Sequence, residues 1–265
     1  MCFKRFFSYP ELLMQTMTNR NVSSIVVGDY KGTANDLVGP PHDQIDIRKA
    51  ILSLWPDFSF REFKDRTATV SNLLNEIKSS VAGLPDDGLN LFIMDNCFSG
   101  NNTRNGTAAR VLSYRFCPPE FAPVNPKIIK PILKGHGFEK ILTISACLDN
   151  QTAADAVFNG RANGALHYCL IKTMKRGITY RQWIDATVKM LADLKFSQIA
   201  SLDGPEELKD RLIFEGNVRV IDVSSHGTTV KDQNGDEWDQ RDEAVVMYDG
   251  IVIDDEIAEA IQSAA

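Results

Sequence analysis

Short apolar runs alternate with stretches of helical periodicity along most of this chain. A nearly continuous apolar run is typical of a buried strand, and apolar residues three and four positions apart indicate the buried face of a helix. The predicted strands are 24–28, 58–63, 91–94, 140–147 and 218–223. The predicted helices are 42–54, 69–81 and 180–194. This alternation predicts an α/β fold, with a mainly parallel sheet and helices on both faces.

The connection after the strand at 91–94 is much longer than the others. Residues 101–131 are polar and rich in proline, and their length predicts a functional or mobile loop. No shift in composition marks a linker between domains. We therefore expect one domain over residues 23–265, preceded by an N-terminal extension of residues 1–22.

Composition argues against several function classes. The chain has 265 residues and a formal net charge of −6, without the basic cluster of a nucleic-acid-binding surface, so we expect no nucleic-acid partner. No apolar stretch is long enough to span a membrane and the start lacks a clean signal-peptide core, so we expect a cytoplasmic protein without membrane contact. Five cysteines without a CxxC spacing predict neither a disulfide framework nor a zinc site.

A thiol and an imidazole each follow a predicted strand. Cys97 comes after the strand at 91–94, and His226 comes after the strand at 218–223. Ligands of open α/β sheets bind beyond the carboxyl ends of such strands, which makes Cys97 a candidate nucleophile and His226 its general acid/base. The alternatives are a small buried cysteine and a structural histidine at a strand end. The remaining histidines lack such a setting, and we expect structural or surface roles for His42, His136 and His167.

Asp95 lies two residues before Cys97. Alternate side chains of a strand share a face, so Asp95 is expected to place its carboxylate on the same side as the thiol. A buried carboxylate is costly unless a cation pairs with it.

Four blocks of sequence resemble the caspase-like cysteine peptidases of the metacaspase branch. Any one block would be a weak signal, but four with matching internal spacing are specific, and together they touch most of the chain from residue 23 onward. The blocks are 28–33 with 37–39 and Asp43, 95–100, 145–156 with Gly160 and 164–165, and 224–228 with its acidic continuation 232–244 and 253–257. The resemblance implies a caspase-like three-layer sandwich.

One departure from the family is large. The histidine block precedes the cysteine block in the family, but here it comes last, in a segment of residues 216–265 that resembles a relocated piece. A permuted order does not exclude activity, because catalytic groups are defined by their geometry in space. For His226 to reach Cys97, the strand at 218–223 must lie between the opening strand and the strand that precedes Cys97. We expect a monomer, and the alternative is a dimer that exchanges this strand.

The resemblance implies an endopeptidase that cleaves peptides and proteins after Arg or Lys, with no cofactor required for the chemistry. It implies a pocket for that basic side chain, the S1 pocket, made of Asp95, Asp43 and Ser224. It also implies that the Gly227 N–H joins the Cys97 N–H in the oxyanion hole. A charge at a helix N-terminus is an equally good explanation of Asp43. Pro40 departs from the family, which commonly has a cysteine there.

Calcium activation and self-cleavage are two further expectations. The resemblance implies calcium activation in many metacaspases, with Asp254 and Asp255 as the matching pair. The acidic run 232–255 suits Ca²⁺ in ligand type, and its alternative explanation is a solvated loop. Self-cleavage is expected in the long loop, where the basic residues are Arg104, Arg110, Arg115 and Lys127.

Two other functions stand beside the peptidase. A catalytically silent caspase-like scaffold that binds partners would share the fold, but both members of the dyad are present. A nucleotide- or phosphate-binding protein is suggested by residues 28–33 after a strand, but neither GxGxxG nor GxxxxGKS/T occurs there. Cleavage of an arginine-containing fluorogenic peptide, with and without Ca²⁺, separates the peptidase from the scaffold.

Overall fold

A computed structural model describes residues 19–96, 110–115, 117, 137–148, 151–231 and 241–265. The helices are α1 Pro40–Leu54, α2 Val70–Ala82, α3 Ala165–Thr173, α4 Tyr180–Asp193, α5 Glu206–Lys209 and α6 Asp254–Gln262. The strands are β1 Arg20–Val26, β2 Ser59–Lys64, β3 Leu89–Asp95, β4 Arg110–Tyr114, β5 Ile141–Ser145, β6 Ala154–Phe158, β7 Arg161–Gly164, β8 Ser201–Asp203, β9 Val218–Ser224, β10 His226–Lys231, β11 Arg241–Val246 and β12 Ile251–Ile253. Of the helices in the described ranges, none has the length and apolar character needed to cross a membrane.

Six strands form the central sheet in the order β2, β1, β9, β3, β5, β8. Neighbouring strands are parallel, except that β8 runs antiparallel beside β5 at one edge. The predicted, mainly parallel sheet is confirmed. β9 lies between β1 and β3, which is the position expected for the strand at 218–223. The segment that carries the histidine block thus supplies a central strand.

Helices cover both faces of this sheet, and β3 shows why. Leu89, Leu91 and Ile93 pack in one hydrophobic core with residues of α1, α3 and α4. Phe92 and Met94 face the other way, into a core shared with α2 and α6. Successive side chains of a strand point to opposite faces, so a strand buried on both sides is typically a near-continuous apolar run. The predicted cover on both faces is confirmed, and the arrangement has three layers.

Two stretches that were predicted to be loops contain strands. Within 101–131, the described part includes β4, which pairs antiparallel with β6. Within the acidic run 232–255, β11 and β12 form a three-stranded sheet with β10. The loop interpretation is wrong for these parts. Each of these strands has six residues or fewer and lies in a mainly polar stretch of the sequence.

Candidate active site

The three central strands end together at one edge of the sheet. Val26 of β1 and Asp95 of β3 both pair with Ser224, the last residue of β9. From this edge the chain continues into the loop before α1, toward Cys97, and toward His226. Cys97 itself lies outside the described residues. This edge therefore brings together the strand ends that precede Asp43, Cys97 and His226 in the sequence.

The predicted S1 residues Asp43, Asp95 and Ser224 come together, and all three are fully buried. Ser224 Oγ donates to Asp43 Oδ2 at 2.9 Å. Asp43 lies in the first turn of α1 and also accepts the Gly164 N–H at 3.0 Å. Asp43 is thus both an acidic residue at a helix N-terminus and a member of this cluster.

Arg115 fills the space between these side chains and is itself fully buried. Its Nη2 atom lies 2.6 Å from Asp43 Oδ2 and 3.3 Å from Asp155 Oδ1. Its Nη1 atom lies 3.2 Å from Asp95 Oδ2 and 2.5 Å from Ser224 Oγ, and it donates to the Asp95 carbonyl oxygen at 2.9 Å. The three predicted S1 residues therefore hold an arginine side chain that belongs to the same chain.

Opposing effects of burial and charge set the ionisation of this cluster. Burial alone would lower the pKa of Arg115, but Asp95, Asp43 and Asp155 raise it above its usual value. Burial alone would raise the pKa of Asp95, but Arg115 and His167 lower it below its usual value. Burial raises the pKa of Asp43, against the lowering effect of Arg115 and His167. At neutral pH the Arg115 guanidinium therefore faces an ionised Asp95.

Two glycines make room for the guanidinium. A Cβ on Gly164 would collide with Asp95 Oδ2 and Arg115 Nη2. A Cβ on Gly39 would collide with Asp155 Oδ1. The Gly39 N–H also donates to Asp155 Oδ2 at 2.9 Å. Both glycines belong to the blocks that carry the family resemblance, and each lies where a side chain would displace a member of the cluster.

His226 is buried at the start of β10, and one of its ring nitrogens is hydrogen-bonded. Nε2 lies 2.7 Å from the Asn35 carbonyl oxygen, which can only accept, so Nε2 carries the proton and Nδ1 the lone pair. Tyr30 packs against the ring with 4.8 Å between centroids, and its hydroxyl accepts the His226 N–H. Nδ1 has no hydrogen-bond partner in the described part of the chain. Burial lowers the pKa of His226 to about 4, so the ring is neutral at neutral pH.

The main chain of Arg115 lies against the histidine block. The Gly227 N–H donates to the Arg115 carbonyl oxygen at 2.8 Å, and the Arg115 N–H donates to the Ala153 carbonyl oxygen at 2.9 Å. The Cys117 N–H donates to the Gly227 carbonyl oxygen at 2.9 Å. The Arg115 carbonyl also acts on the His226 ring, raising its pKa against the larger effect of burial. The Arg115 carbonyl group thus lies beside the predicted acid/base and the predicted oxyanion-hole donor.

Sequence reasoning gave His167 and Asp155 no part in this site. His167 is fully buried, with Nδ1 2.6 Å from Asp95 Oδ2 and Nε2 2.8 Å from Asp222 Oδ1. Asp155 accepts from the backbone N–H groups of Val38 and Gly39 as well as from Arg115. Asp155 lies in the third block that resembles the family, 145–156, and this position is a sequence signal that could have indicated a role in the site. No feature of the sequence indicates that His167 lies behind Asp95.

The predicted calcium residues Asp254 and Asp255 lie in the first turn of α6. Burial raises the pKa of Asp254 to about 7, and the carboxylates of Glu243, Asp255 and Asp242 act in the same direction. Among the described residues, the group with metal-ligand spacing is a different one, made of Asp43, Asp95 and His167. The two carboxylates of that group already pair with the Arg115 guanidinium. Residues 232–240 of the acidic run lie outside the described residues.

Comparison with known proteins finds a partial similarity to a metacaspase. Metacaspase-1 of Mycosarcoma maydis is 33% identical over 76 residues, which cover 28% of this chain and 19% of that protein. The match thus spans about a fifth of the relative's length. No protein-family model matches the chain. Among solved structures, the protein GSU0716 of Geobacter sulfurreducens aligns over 75% of this chain and 99% of its own, with 15% identity and a TM-score of 0.49. The sequence similarity is to a caspase-like peptidase, over part of the chain.

Proposed function

We propose that this protein is a cysteine endopeptidase that cleaves after Arg or Lys, with Cys97 as nucleophile and His226 as general acid/base. The environment of Arg115 carries the proposal. Its guanidinium lies among Asp43, Asp95 and Ser224, while its carbonyl oxygen accepts the N–H of Gly227. A substrate arginine bound in the same way would present its own carbonyl carbon to the groups that act on it.

The proposed reaction uses the free lone pair of His226. Nδ1 takes the thiol proton of Cys97, and the thiolate sulfur attacks the carbonyl carbon of the substrate arginine. The Gly227 N–H donates to the oxygen as negative charge develops there. The C–N bond then breaks, and the leaving amine takes the proton from His226. Water, with His226 as base, hydrolyses the resulting thioester and restores the thiol.

Self-processing follows from the same geometry. The bond after Arg115 is the chain's own first substrate in this proposal, and its cleavage would let the arginine leave the pocket. Arg110, another predicted site, begins β4. Arg104 and Lys127 lie outside the described residues. The order of segments is proposed to be a permuted version of the family arrangement, which is supported by the central position of β9.

A second candidate function is a catalytically silent scaffold. The observation in its favour is that Arg115 is fully buried and bonded on both sides of its guanidinium, so the pocket could be closed permanently. The two proposals differ in whether an external arginine ever enters the pocket. Cleavage of an arginine peptide after incubation that allows self-processing therefore separates them.

Asp95→Asn is expected to lower kcat/KM for arginine peptides by about 100-fold, because a desolvated charge pair contributes on the order of a few kcal/mol. The measurement is the rate on a fluorogenic peptide library varied at the position before the cleaved bond. Asp193→Asn is the matched control, since Asp193 is an exposed acid paired only with Lys189 in the described contacts. A wild-type preference for aspartate or for apolar residues would contradict the specificity.

Calcium activation is a further part of the proposal, supported by the type of ligand that the acidic residues near Asp254 offer. Asp254 lies close to Glu243, Asp255 and Asp242, and this crowding of carboxylates raises its pKa in addition to the larger effect of burial. Carboxylate oxygens are the ligands that Ca²⁺ prefers. Asp254 and its acidic neighbours would hold the ion, which would supply positive charge where these carboxylates repel one another.

Calcium is expected to raise the melting temperature more at pH 8 than at pH 5. The folded pKa of Asp254 is raised to about 7, so its favourable contribution is present below the unfolded pKa and is lost as the pH rises toward 7. Ca²⁺ binds the ionised form and so restores stability chiefly at high pH. Thermal unfolding with Ca²⁺ and with EDTA at both pH values measures this. An equal calcium effect in an Asp254→Asn variant would rule out this site.

A further inference from the structure

His167 is a buried cation behind the predicted S1 pocket. It lies in the first turn of α3 and is fully buried. Nδ1 and Nε2 both lie within hydrogen-bond distance of carboxylate oxygens, those of Asp95 and Asp222. A carboxylate oxygen accepts, so each ring nitrogen donates and the ring is an imidazolium. Two neighbouring strands of the sheet therefore hold this ring, β3 through Asp95 and β9 through Asp222.

The carboxylates around His167 favour its protonation. Burial alone would lower its pKa, but Asp222 and Asp43, with the hydrogen bonds to Asp222 and Asp95, raise the pKa well above the usual value. Arg115 is the other cation of the cluster. Asp43 Oδ2, which contacts Arg115, lies 3.8 Å from His167 Nδ1. On the same helix, burial raises the pKa of Cys169 to about 12, so this thiol stays neutral.

Asp95 takes its orientation from this ring. A single carboxylate oxygen of Asp95, Oδ2, contacts both His167 and Arg115, and within the described residues Oδ1 has no partner. The His167 bond is the shorter of the two, at 2.6 Å against 3.2 Å. Asp222 fixes the far side of the ring and itself accepts from Ser24 Oγ at 2.7 Å. A series of hydrogen bonds runs from Ser24 through Asp222 and His167 to Asp95. It orients Asp95 Oδ2 toward the Arg115 guanidinium.

We propose that His167 is a positioning residue for arginine recognition, holding Asp95 ionised and oriented so that the pocket prefers the fork of an arginine to the single ammonium of a lysine. The guanidinium of Arg115 contacts Asp43 with one nitrogen and Asp95 with the other. A lysine has one nitrogen and cannot reproduce this spacing. This inference rests on the proposed peptidase function, because that function supplies the substrate arginine. The buried Arg115 side chain allows a second test that does not depend on peptidase activity.

The first experiment measures peptide cleavage by His167→Gln. The glutamine amide keeps a hydrogen-bond donor but has no charge. KM for an arginine peptide is therefore expected to rise about tenfold, while kcat changes by less than about threefold. The preference for arginine over lysine is expected to fall about tenfold. KM should also rise further below pH 6 in this variant only, because Asp95 loses a cation and takes up a proton. His42→Gln is the matched control, since His42 Nδ1 contacts only the Ala162 carbonyl oxygen in the described contacts. An unchanged KM and pH profile in His167→Gln would overturn the inference.

The second experiment needs no catalysis and separates this inference from the proposed function. Arg115→Lys is expected to lower the denaturant midpoint in the wild-type background, and to do so by less than half as much in the His167→Gln background. Equal losses in both backgrounds would overturn the role of His167 even if the wild type cleaves no peptide. Nitrogen NMR of the wild type supports the assignment if both His167 ring nitrogens stay protonated from pH 5 to pH 8. A neutral ring in that range would overturn it whether or not the variants fold.

Discussion

His226→Ala is expected to lower kcat/KM for an arginine peptide by about 10³-fold or more, because the thiol then loses its base and the leaving amine loses its acid. Cys97→Ala is expected to have an equal effect, and the double variant should be no worse than either single one, since the two groups act as a unit. His42→Ala is the control for loss of a partly buried imidazole. Substantial turnover by folded Cys97→Ala would remove the proposed mechanism.

The pH profile gives a second test of His226. Burial lowers its pKa to about 4, so the neutral ring that accepts the thiol proton is present throughout the range from pH 5 to pH 8. The acid limb of kcat/KM should therefore lie well below the value near 6.5 of an ordinary histidine. A midpoint near 6.5 in the wild type would show that another histidine or a differently exposed ring is the base.

A mixture of Cys97→Ala and His226→Ala chains tests how the dyad is assembled. We expect no recovery of activity, because β9 and β10 are proposed to pair within their own chain. Recovered activity would mean that one chain donates the histidine segment to another. A dilution series followed by size measurement would then detect the exchanged dimer.

The fold was largely predictable because its central strands are buried on both faces. Such strands are rich in apolar residues, as at 91–94 in β3, and these runs are visible without knowledge of their partners. The position of β9 followed from one geometric requirement: His226, which follows β9, must come within reach of Cys97, which follows β3. β4 and β11 could not be found in this way, because each lies in a mainly polar stretch; β4 pairs with β6, and β11 pairs with β10, the strand that precedes it.

Residues of the candidate site could be selected from the sequence only where they share a strand or a block. Asp95 followed from the alternation of side chains before Cys97, and the structure does bury it with Asp43 and Ser224. Arg115 stands in a polar, proline-rich stretch, where an arginine is usually solvated. Its main chain bonds to Ala153 and Gly227, and its buried guanidinium lies among Asp43, Asp95 and Asp155. The pocket's own cation is thus a property of the tertiary structure.

Arg115→Ala is expected to lower the free energy of unfolding by about 3–5 kcal/mol at neutral pH, because it leaves buried carboxylates without their cation. The loss should be larger at pH 8 than at pH 5. In the wild type the folded pKa of Asp95 is lowered, so its stabilising contribution is present above the unfolded pKa and lost as the pH falls through the folded pKa. In the variant the carboxylates are expected to have raised pKa values, so their protonation restores stability on acidification. Denaturant unfolding at the two pH values measures both effects.

Agmatine, a free guanidinium ligand, is expected to stabilise Arg115→Ala and to have little effect on the wild type, whose pocket is filled. A ligand that binds only the folded state raises stability in proportion to the logarithm of its concentration, so the melting temperature should climb with added agmatine. Cadaverine, which presents a single ammonium at each end, should be weaker. Arg219→Ala is the matched control, because Arg219 is a partly buried arginine that contacts the Ser79 carbonyl oxygen rather than the pocket. If agmatine stabilises both variants equally, or neither, the Arg115 cavity does not accept an external arginine, and the silent scaffold becomes the better account of this chain.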